Sequence, residues 1–143
     1  MNSLEETRTQ PPRVLFICVK NGGKSQMAAG LMSDIAGDSI DVASAGTKPG
    51  TSLNQLSVDS LAELGIDISE GSPKPVTPAD LETADVVVTL GREAKVHAPD
   101  GTMLENWDTD EPSERGIDGI ERMGLVRDDI SERVKDLQSR LQE

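Results

Sequence analysis

The stretch over residues 14–29 constrains the fold of this chain more than any other. A short apolar run leads into Cys18, the only cysteine of the sequence. Five residues, of which the last two are Gly22 and Gly23, separate this cysteine from Lys24 and Ser25, where a helical spacing of apolar residues begins. This order of residues predicts a β-strand, then an anion-binding turn, then an α-helix.

The predicted turn after Cys18 is suited to an oxyanion. In such a turn consecutive backbone N–H groups converge, and the following helix adds the positive end of its dipole. A cysteine at the first position lies in a positive field that favours the nucleophilic thiolate. We therefore predict a thiolate aimed at the central atom of a bound tetrahedral oxyanion. The residues predicted to bind that oxyanion are Val19, Lys20, Asn21, Gly22, Gly23, Lys24 and Ser25.

Two other interpretations of the turn have less support. In one, Cys18 ends a buried strand as a small hydrophobic residue, as free cysteine often does. In the other, the turn is a nucleotide-binding loop, which requires a glycine, four residues and then Gly-Lys-Ser/Thr. That first glycine would fall at position 18, where the chain has cysteine, so the nucleotide-binding pattern fails.

Alternating strands and helices indicate a parallel α/β sheet with helices on both faces. Strands are predicted at residues 13–17, 40–44, 84–90 and 103–107, and helices at 24–35, 53–64 and 117–141, with a further helix start at Thr77-Pro78 and a break in the last helix near Gly124. The first and third strands are uniformly apolar, as in the centre of such a sheet. We predict a three-layer α/β/α domain with a four-stranded parallel sheet over residues 13–143, after a flexible segment over residues 1–12.

Ligands of parallel α/β sheets bind outside the carboxyl ends of the strands. The turn after Cys18, the loop after Leu90 and the loop after Trp107 are therefore expected at one edge of the sheet. The loop after Trp107 is acidic, and its Asp110 and Glu111 are candidates to protonate a departing oxygen.

Composition narrows the classes of partner and cofactor. The chain has 26 acidic and 14 basic side chains, for a net charge of −12, which disfavours nucleic acid and anionic membranes as partners. The sequence contains neither an apolar run of transmembrane length nor a signal-peptide pattern, so the expected location is the cytosol. One histidine and one cysteine argue against a zinc site, and we expect no bound metal or cofactor.

These motifs resemble the low-molecular-weight protein tyrosine phosphatase superfamily, and more closely its arsenate reductase branch. That family carries Cys, five residues and Arg-Ser/Thr after its first strand, with an asparagine three residues past the cysteine. Cys18, Asn21 and Ser25 occupy those places. The similarity covers about residues 13–141 and implies the low-molecular-weight phosphatase fold, with a general acid just before a proline.

The chain departs from the family pattern at three places. Lys24 replaces the arginine, and it keeps the charge without the planar fork that holds two oxygens at once. Residues 90–99 lack the resolving cysteines of thioredoxin-coupled arsenate reductases, so an external thiol must supply the second sulfur. The residue before Pro112 is Glu111, preceded by Asp110, and both remain candidates for the acid.

A lysine-containing loop with a lone cysteine resembles the arsenate-mycothiol transferases. This resemblance implies that arsenate binds in the loop and that mycothiol, as co-substrate, joins it in an arseno-thiol adduct. A mycoredoxin then releases arsenite. The implied catalytic residues are Cys18, Lys24, Ser25 and one of Asp110 and Glu111.

Several alternatives remain open at this point. Glutathione or bacillithiol could replace mycothiol as the thiol donor. The chain could instead hydrolyse phosphotyrosine or a small phosphomonoester, although Lys24 counts against efficient phosphoryl transfer. A non-catalytic oxyanion-binding module is the third possibility, and the retained nucleophile and acid-Pro pair count against it.

Overall fold

The computed structural model describes residues 10–142, so most of the segment predicted to be flexible, residues 1–12, lies outside the described residues. The strands are β1 (Arg13–Cys18), β2 (Asp41–Gly46), β3 (Val86–Leu90) and β4 (Met103–Trp107). The helices are α1 (Lys24–Ala36), α2 (Gln55–Ala62), α3 (Pro78–Thr83) and α4 (Gly119–Leu141). Short 3-10 turns follow α1 and precede α4.

The four strands form one parallel sheet in the order β2-β1-β3-β4. Alternate residues of β1 point to opposite faces of this sheet. Val14 and Phe16 pack in the larger core cluster with α1 and α4, whereas Leu15 and Ile17 pack in a smaller cluster on the other face. Leu81 of α3 packs against this smaller cluster. The predicted three-layer α/β/α fold with a four-stranded parallel sheet is confirmed.

The central position of β1 and β3 explains their composition. Both strands have neighbours on each side and helices or loops on each face, so nearly every side chain is buried. Residues buried on both faces of a sheet must be apolar, which is why these strands have no polar alternation. β4 lies at an edge, and its Met103 and Leu104 are about half exposed.

The predicted break near Gly124 is wrong, because α4 runs without interruption from residue 119 to 141. A glycine inside a helix costs about 1 kcal/mol relative to alanine. Met123 and Val126 on either side of Gly124 are buried in the core. Burying one such side chain contributes about 1.5–3 kcal/mol, so tertiary packing outweighs the local preference.

Helix α3 begins where the sequence predicts it. Thr77 is the N-cap, its side chain accepts from the N–H of Asp80, and the Asp80 carboxylate accepts from the N–H of Thr77. Helix α2 is shorter than expected, because the Asn54 side chain caps it by accepting from the N–H of Ser57. Among the helices of residues 10–142, none is long and apolar enough to cross a membrane.

Candidate active site

Cys18 lies at the carboxyl end of β1, in the middle of the sheet, and is largely buried. Its Sγ atom is 2.9 Å from Ser25 Oγ and accepts a hydrogen bond of 3.2 Å from the backbone N–H of Asn21. The Asn21 side-chain amide in turn donates to Ser25 Oγ over 2.7 Å. Since Ser25 Oγ already accepts from Asn21, its own proton is free to point at the sulfur. Two donors thus converge on Cys18, as a thiolate requires.

Asn21 shapes the loop. It is fully buried and has a positive φ of 53°, a conformation that asparagine tolerates better than most residues. Its Oδ1 atom accepts from the N–H of Lys74 over 3.1 Å and from the Gln26 side chain over 3.3 Å. Gln26 also donates to the carbonyl of Ser72, over 3.2 Å. Asn21 and Gln26 therefore anchor the loop to the segment around residues 72–74.

The loop carbonyls point away from Cys18. Four of them accept N–H groups from the segment 47–54. The pairs, donor first, are Thr47 to Cys18 (3.1 Å), Lys48 to Val19 (2.8 Å), Gly50 to Lys20 (3.0 Å) and Asn54 to Gly22 (2.7 Å). Helix α1 begins at the end of the loop, and no side chain caps it at Gly23. The first N–H groups of a helix lack partners within it, so this arrangement is suited to an anion.

Close approach between the loop and β2 requires a glycine at position 46. A Cβ atom added to Gly46 would lie 2.7 Å from the carbonyl oxygen of Val19 and 3.0 Å from Asn21 Cβ. Gly46 also holds the segment after residue 71, since its N–H donates to the Lys74 carbonyl over 2.8 Å. The oxyanion loop thus depends on the absence of a side chain at Gly46.

Replacing Gly46 with alanine is expected to displace the loop and lower the free energy of unfolding by about 1–3 kcal/mol, the usual effect of overpacking. Gly124→Ala is the matched control, because a Cβ there meets only the end of the Arg127 side chain, at 3.7 Å. It should raise the stability of α4 by up to about 1 kcal/mol. Chemical denaturation measures both effects. Equal stability of Gly46→Ala and the wild-type protein would contradict the close contact.

Lys24 and Glu111 form an ion pair over the mouth of the loop. The distance between Lys24 Nζ and Glu111 Oε1 is 2.5 Å. Both residues line a cavity of about 400 Å³ that also contains Cys18, and Leu90 and the three residues after it complete the lining with Val19 and Glu114. The expected convergence of the turn after β1 with the loops after β3 and β4 is therefore confirmed.

Asp110 and Glu111 have different surroundings. The Asp110 carboxylate accepts two hydrogen bonds from the Arg115 guanidinium, of 2.8 and 3.0 Å, whereas Glu111 faces the Cys18 cavity. Hydrogen bonding to Arg115 holds the pKa of Asp110 below its usual value. Glu111 lines the cavity that contains Cys18 and Asp110 does not, so the geometry favours Glu111 as the acid.

Glu111→Gln is therefore expected to lower kcat for turnover of the oxyanion substrate by about 10²-fold, the usual contribution of a general acid. Asp110→Asn should change it by less than about threefold, because its carboxylate lies outside the Cys18 cavity. Steady-state rates of the two variants, measured against pH, test this assignment. A larger loss for Asp110→Asn than for Glu111→Gln would reverse it.

The remaining predicted site residues follow the course of the loop. Val19 is half-buried and lines the Cys18 cavity, whereas Lys20 is exposed and lines a neighbouring cavity with Gly22 and Gly23. Sequence reasoning missed Arg92, which lines the Cys18 cavity and pairs with Asp108 over 3.0 Å. Its position just after a buried strand was the available signal. Within the described part of the chain, no group of three or more His, Cys, Asp or Glu side chains could hold a metal ion.

A cysteine and an oxyanion loop at the end of β1, faced by the carboxylate of Glu111, form an arrangement suited to nucleophilic attack on an oxyanion. Residues 13–143 match the model of the family described as low molecular weight phosphotyrosine protein phosphatase. The chain belongs to this family.

Within the family, the similar proteins include arsenate reductases. The arsenate reductase of Bacillus licheniformis is 35% identical over 128 residues, which are 85% of this chain and 91% of the relative. The structure of a thioredoxin-dependent arsenate reductase of Corynebacterium glutamicum superposes with a TM-score of 0.79 at 34% identity. It covers 96% of this chain, which spans only 66% of that protein. An arsenate reductase in its phosphate-binding state gives a TM-score of 0.77 at 27% identity, covering 91% of this chain and 98% of that one.

Proposed function

We propose that this chain reduces arsenate to arsenite with electrons from an external thiol. The observation that carries the proposal is the Cys18 sulfur, held in an oxyanion loop by donors from Ser25 and Asn21. The similar proteins named arsenate reductases support arsenate as the substrate. Cys18 is the only cysteine of the sequence, so the second sulfur must come from another molecule.

In the first step arsenate binds in the loop and forms an ion pair with Lys24. The ion pair between Lys24 and Glu111 breaks. The Cys18 thiolate attacks arsenic, and an arsenic–oxygen bond breaks. Glu111 has then lost its cationic partner and faces the bound anion, and it takes up a proton from the arsenate hydroxyl or from solvent. Glu111 gives this proton to the departing oxygen, which leaves as water. Arsenic remains pentavalent, bound to the sulfur of Cys18.

The reduction itself needs two external thiols. The first thiolate attacks arsenic and displaces the Cys18 thiolate, so the enzyme is regenerated and an arseno-thiol adduct forms. A second thiol then attacks the sulfur of that adduct and forms a disulfide. The electron pair of the broken arsenic–sulfur bond stays on arsenic, which becomes trivalent. Each arsenite therefore corresponds to two thiols oxidised.

Mycothiol is our proposed first thiol, and a mycoredoxin supplies the second. The lysine-containing loop and the lone cysteine support this choice through their resemblance to the arsenate-mycothiol transferases. We also propose that the reaction takes place in the cytosol, where such thiols stay reduced.

Arsenite formation with each complete thiol system tests the proposal. The four arms are mycothiol with mycoredoxin, glutathione with glutaredoxin, bacillithiol with its redoxin, and thioredoxin with its reductase. We expect the mycothiol arm to be fastest. Faster turnover in another arm would replace mycothiol as the donor, and thioredoxin alone would indicate direct transfer to a protein dithiol.

Phosphatase activity is the second candidate, because the family model that matches is that of a phosphotyrosine phosphatase. Phosphoryl transfer depends on holding several equatorial oxygens in place. Lys24 offers a point charge where a planar fork would hold two oxygens. We expect hydrolysis of para-nitrophenyl phosphate to be slow.

A further inference from the structure

A second cavity, of about 540 Å³, adjoins the oxyanion loop. Lys20 and Lys24 of the loop, the segment 50–54, and Arg122 and Met123 at the start of α4 line it. Lys24 also lines the cavity that contains Cys18, so the two cavities share this side chain. The size falls in the range of sites for small molecules.

The lining of this cavity is positively charged, whereas the chain as a whole is negatively charged. Three of its lining residues are cationic and none is a carboxylate, in a protein with 26 acidic side chains and a net charge of −12. The cavity around Cys18 contains Glu93, Glu111 and Glu114 by comparison. The lining combines these cations and several hydroxyl groups with three apolar side chains, so it suits a ligand that carries hydrogen-bond acceptors on a carbon framework.

Arg122 is the arginine of this cavity, and no carboxylate of residues 10–142 forms a salt bridge with it. Within residues 10–142 every other arginine forms a salt bridge, so Arg122 stands alone there. The paired arginines are Arg13, Arg92, Arg115, Arg127, Arg133 and Arg140. The Nε atom of Arg122 is buried and has no hydrogen-bond partner in the described part of the chain. Arg122 lines the cavity, so guanidinium donors that no carboxylate of residues 10–142 engages are available to a ligand oxygen there.

We propose that this cavity binds the body of the external thiol, whose oxygen atoms accept hydrogen bonds from Arg122 and Lys20. The inference rests on the proposed function and names the place of its co-substrate. Mycothiol, bacillithiol and glutathione share the required chemistry, a cysteinyl thiol on an acceptor-rich sugar or peptide. The bound thiolate attacks arsenic as it is held on Cys18, and the Cys18 sulfur leaves as a thiolate.

Arg122→Met tests the proposal, with Arg140→Met on the same helix as the matched control. Initial rates are measured against the concentration of each of the three thiols, and of 2-mercaptoethanol, which has no such body. We expect Arg122→Met to raise KM for the preferred large thiol at least tenfold. The arsenate KM, the rate with 2-mercaptoethanol and all constants of Arg140→Met should stay within twofold.

A second variant, Thr51→Trp, fills the same cavity from an exposed position and should have the same selective effect. An unchanged KM for every large thiol in both variants would overturn the proposal. So would an equal loss with 2-mercaptoethanol, because that pattern would indicate damage to the oxyanion loop.

Calorimetric titration with the S-methyl derivatives of the three thiols separates this proposal from the proposed function. These derivatives bind without reacting. Binding to the wild-type protein that is lost in Arg122→Met supports the cavity even if no thiol supports arsenite formation, a result that would refute only the proposed function. Absence of binding by all three derivatives would overturn the cavity proposal even if turnover is observed.

Discussion

Replacing Cys18 with serine is expected to abolish arsenite formation. A serine hydroxyl fits the space of the thiol but is not ionised at neutral pH, so the arsenic–sulfur bond cannot form. Loss of a nucleophile lowers kcat by several orders of magnitude, and we expect a drop of at least about 10³-fold. The measurement is arsenite production by chromatography with elemental detection, at saturating arsenate and thiol.

The matched variant for this test is Ser25→Ala, which keeps the nucleophile and removes its 2.9 Å neighbour. It should lose less than Cys18→Ser, on the order of 10- to 100-fold, since only one stabilising donor is removed. Thermal unfolding checks that both variants are folded. If Cys18→Ser retained activity within tenfold of the wild-type protein, Cys18 would not be the nucleophile.

Replacing Lys24 is expected to have the second large effect on activity. Lys24→Met removes the only positive side chain that lines the Cys18 cavity from the loop, and it leaves Glu111 without its partner. We expect kcat/KM for arsenate to fall by about 10²- to 10³-fold, the usual loss when one oxyanion-stabilising group is removed. Steady-state kinetics with arsenate as the varied substrate measure this loss.

Lys24→Arg separates the two candidate functions. The guanidinium restores the charge and adds a planar fork, so hydrolysis of para-nitrophenyl phosphate should rise, by about tenfold. Thiol-dependent arsenate reduction should change less, by under about threefold. A parallel rise in both activities would show that the fork serves both reactions alike, against the role we give to lysine.

The sequence predicted the sheet because its strands carry their own signals. β1 and β3 are apolar runs without polar alternation, and each is followed by a turn containing glycine. The prediction of a break at Gly124 was wrong because the continuity of this helix depends on contacts with distant residues. Glycine weakens a helix locally, but the burial of Met123 and Val126 depends on the packing of α4 against α1 and α2, which the local sequence does not report.

The parts of the site that were predicted have local sequence signals, and the parts that were missed depend on contacts in the fold. Cys18, Asn21 and Ser25 lie within eight residues of each other, and their spacing alone suggested a common turn. Asp110 and Glu111 are neighbours in sequence, and their partners distinguish them: Arg115 binds Asp110, whereas Lys24 pairs with Glu111. The local sequence pattern does not specify such contacts.

Contacts between distant parts of the chain were hidden for the same reason. Gly46 lies 27 residues beyond Val19, and Arg122 lies about 100 residues beyond Lys20. The fold brings the first pair into direct contact and places the second pair around one cavity. Their roles follow from the close approach of the two segments, which the sequence around each residue does not specify.

The stoichiometry of the wild-type reaction tests the central claim most directly. Purified protein is incubated with arsenate and the mycothiol–mycoredoxin system, and arsenite and oxidised thiol are measured together, with an identical sample lacking thiol. The account predicts two thiols oxidised for each arsenite formed, and no arsenite without thiol. Rapid hydrolysis of para-nitrophenyl phosphate by the same protein, with no arsenite in this or any other thiol system, would contradict it.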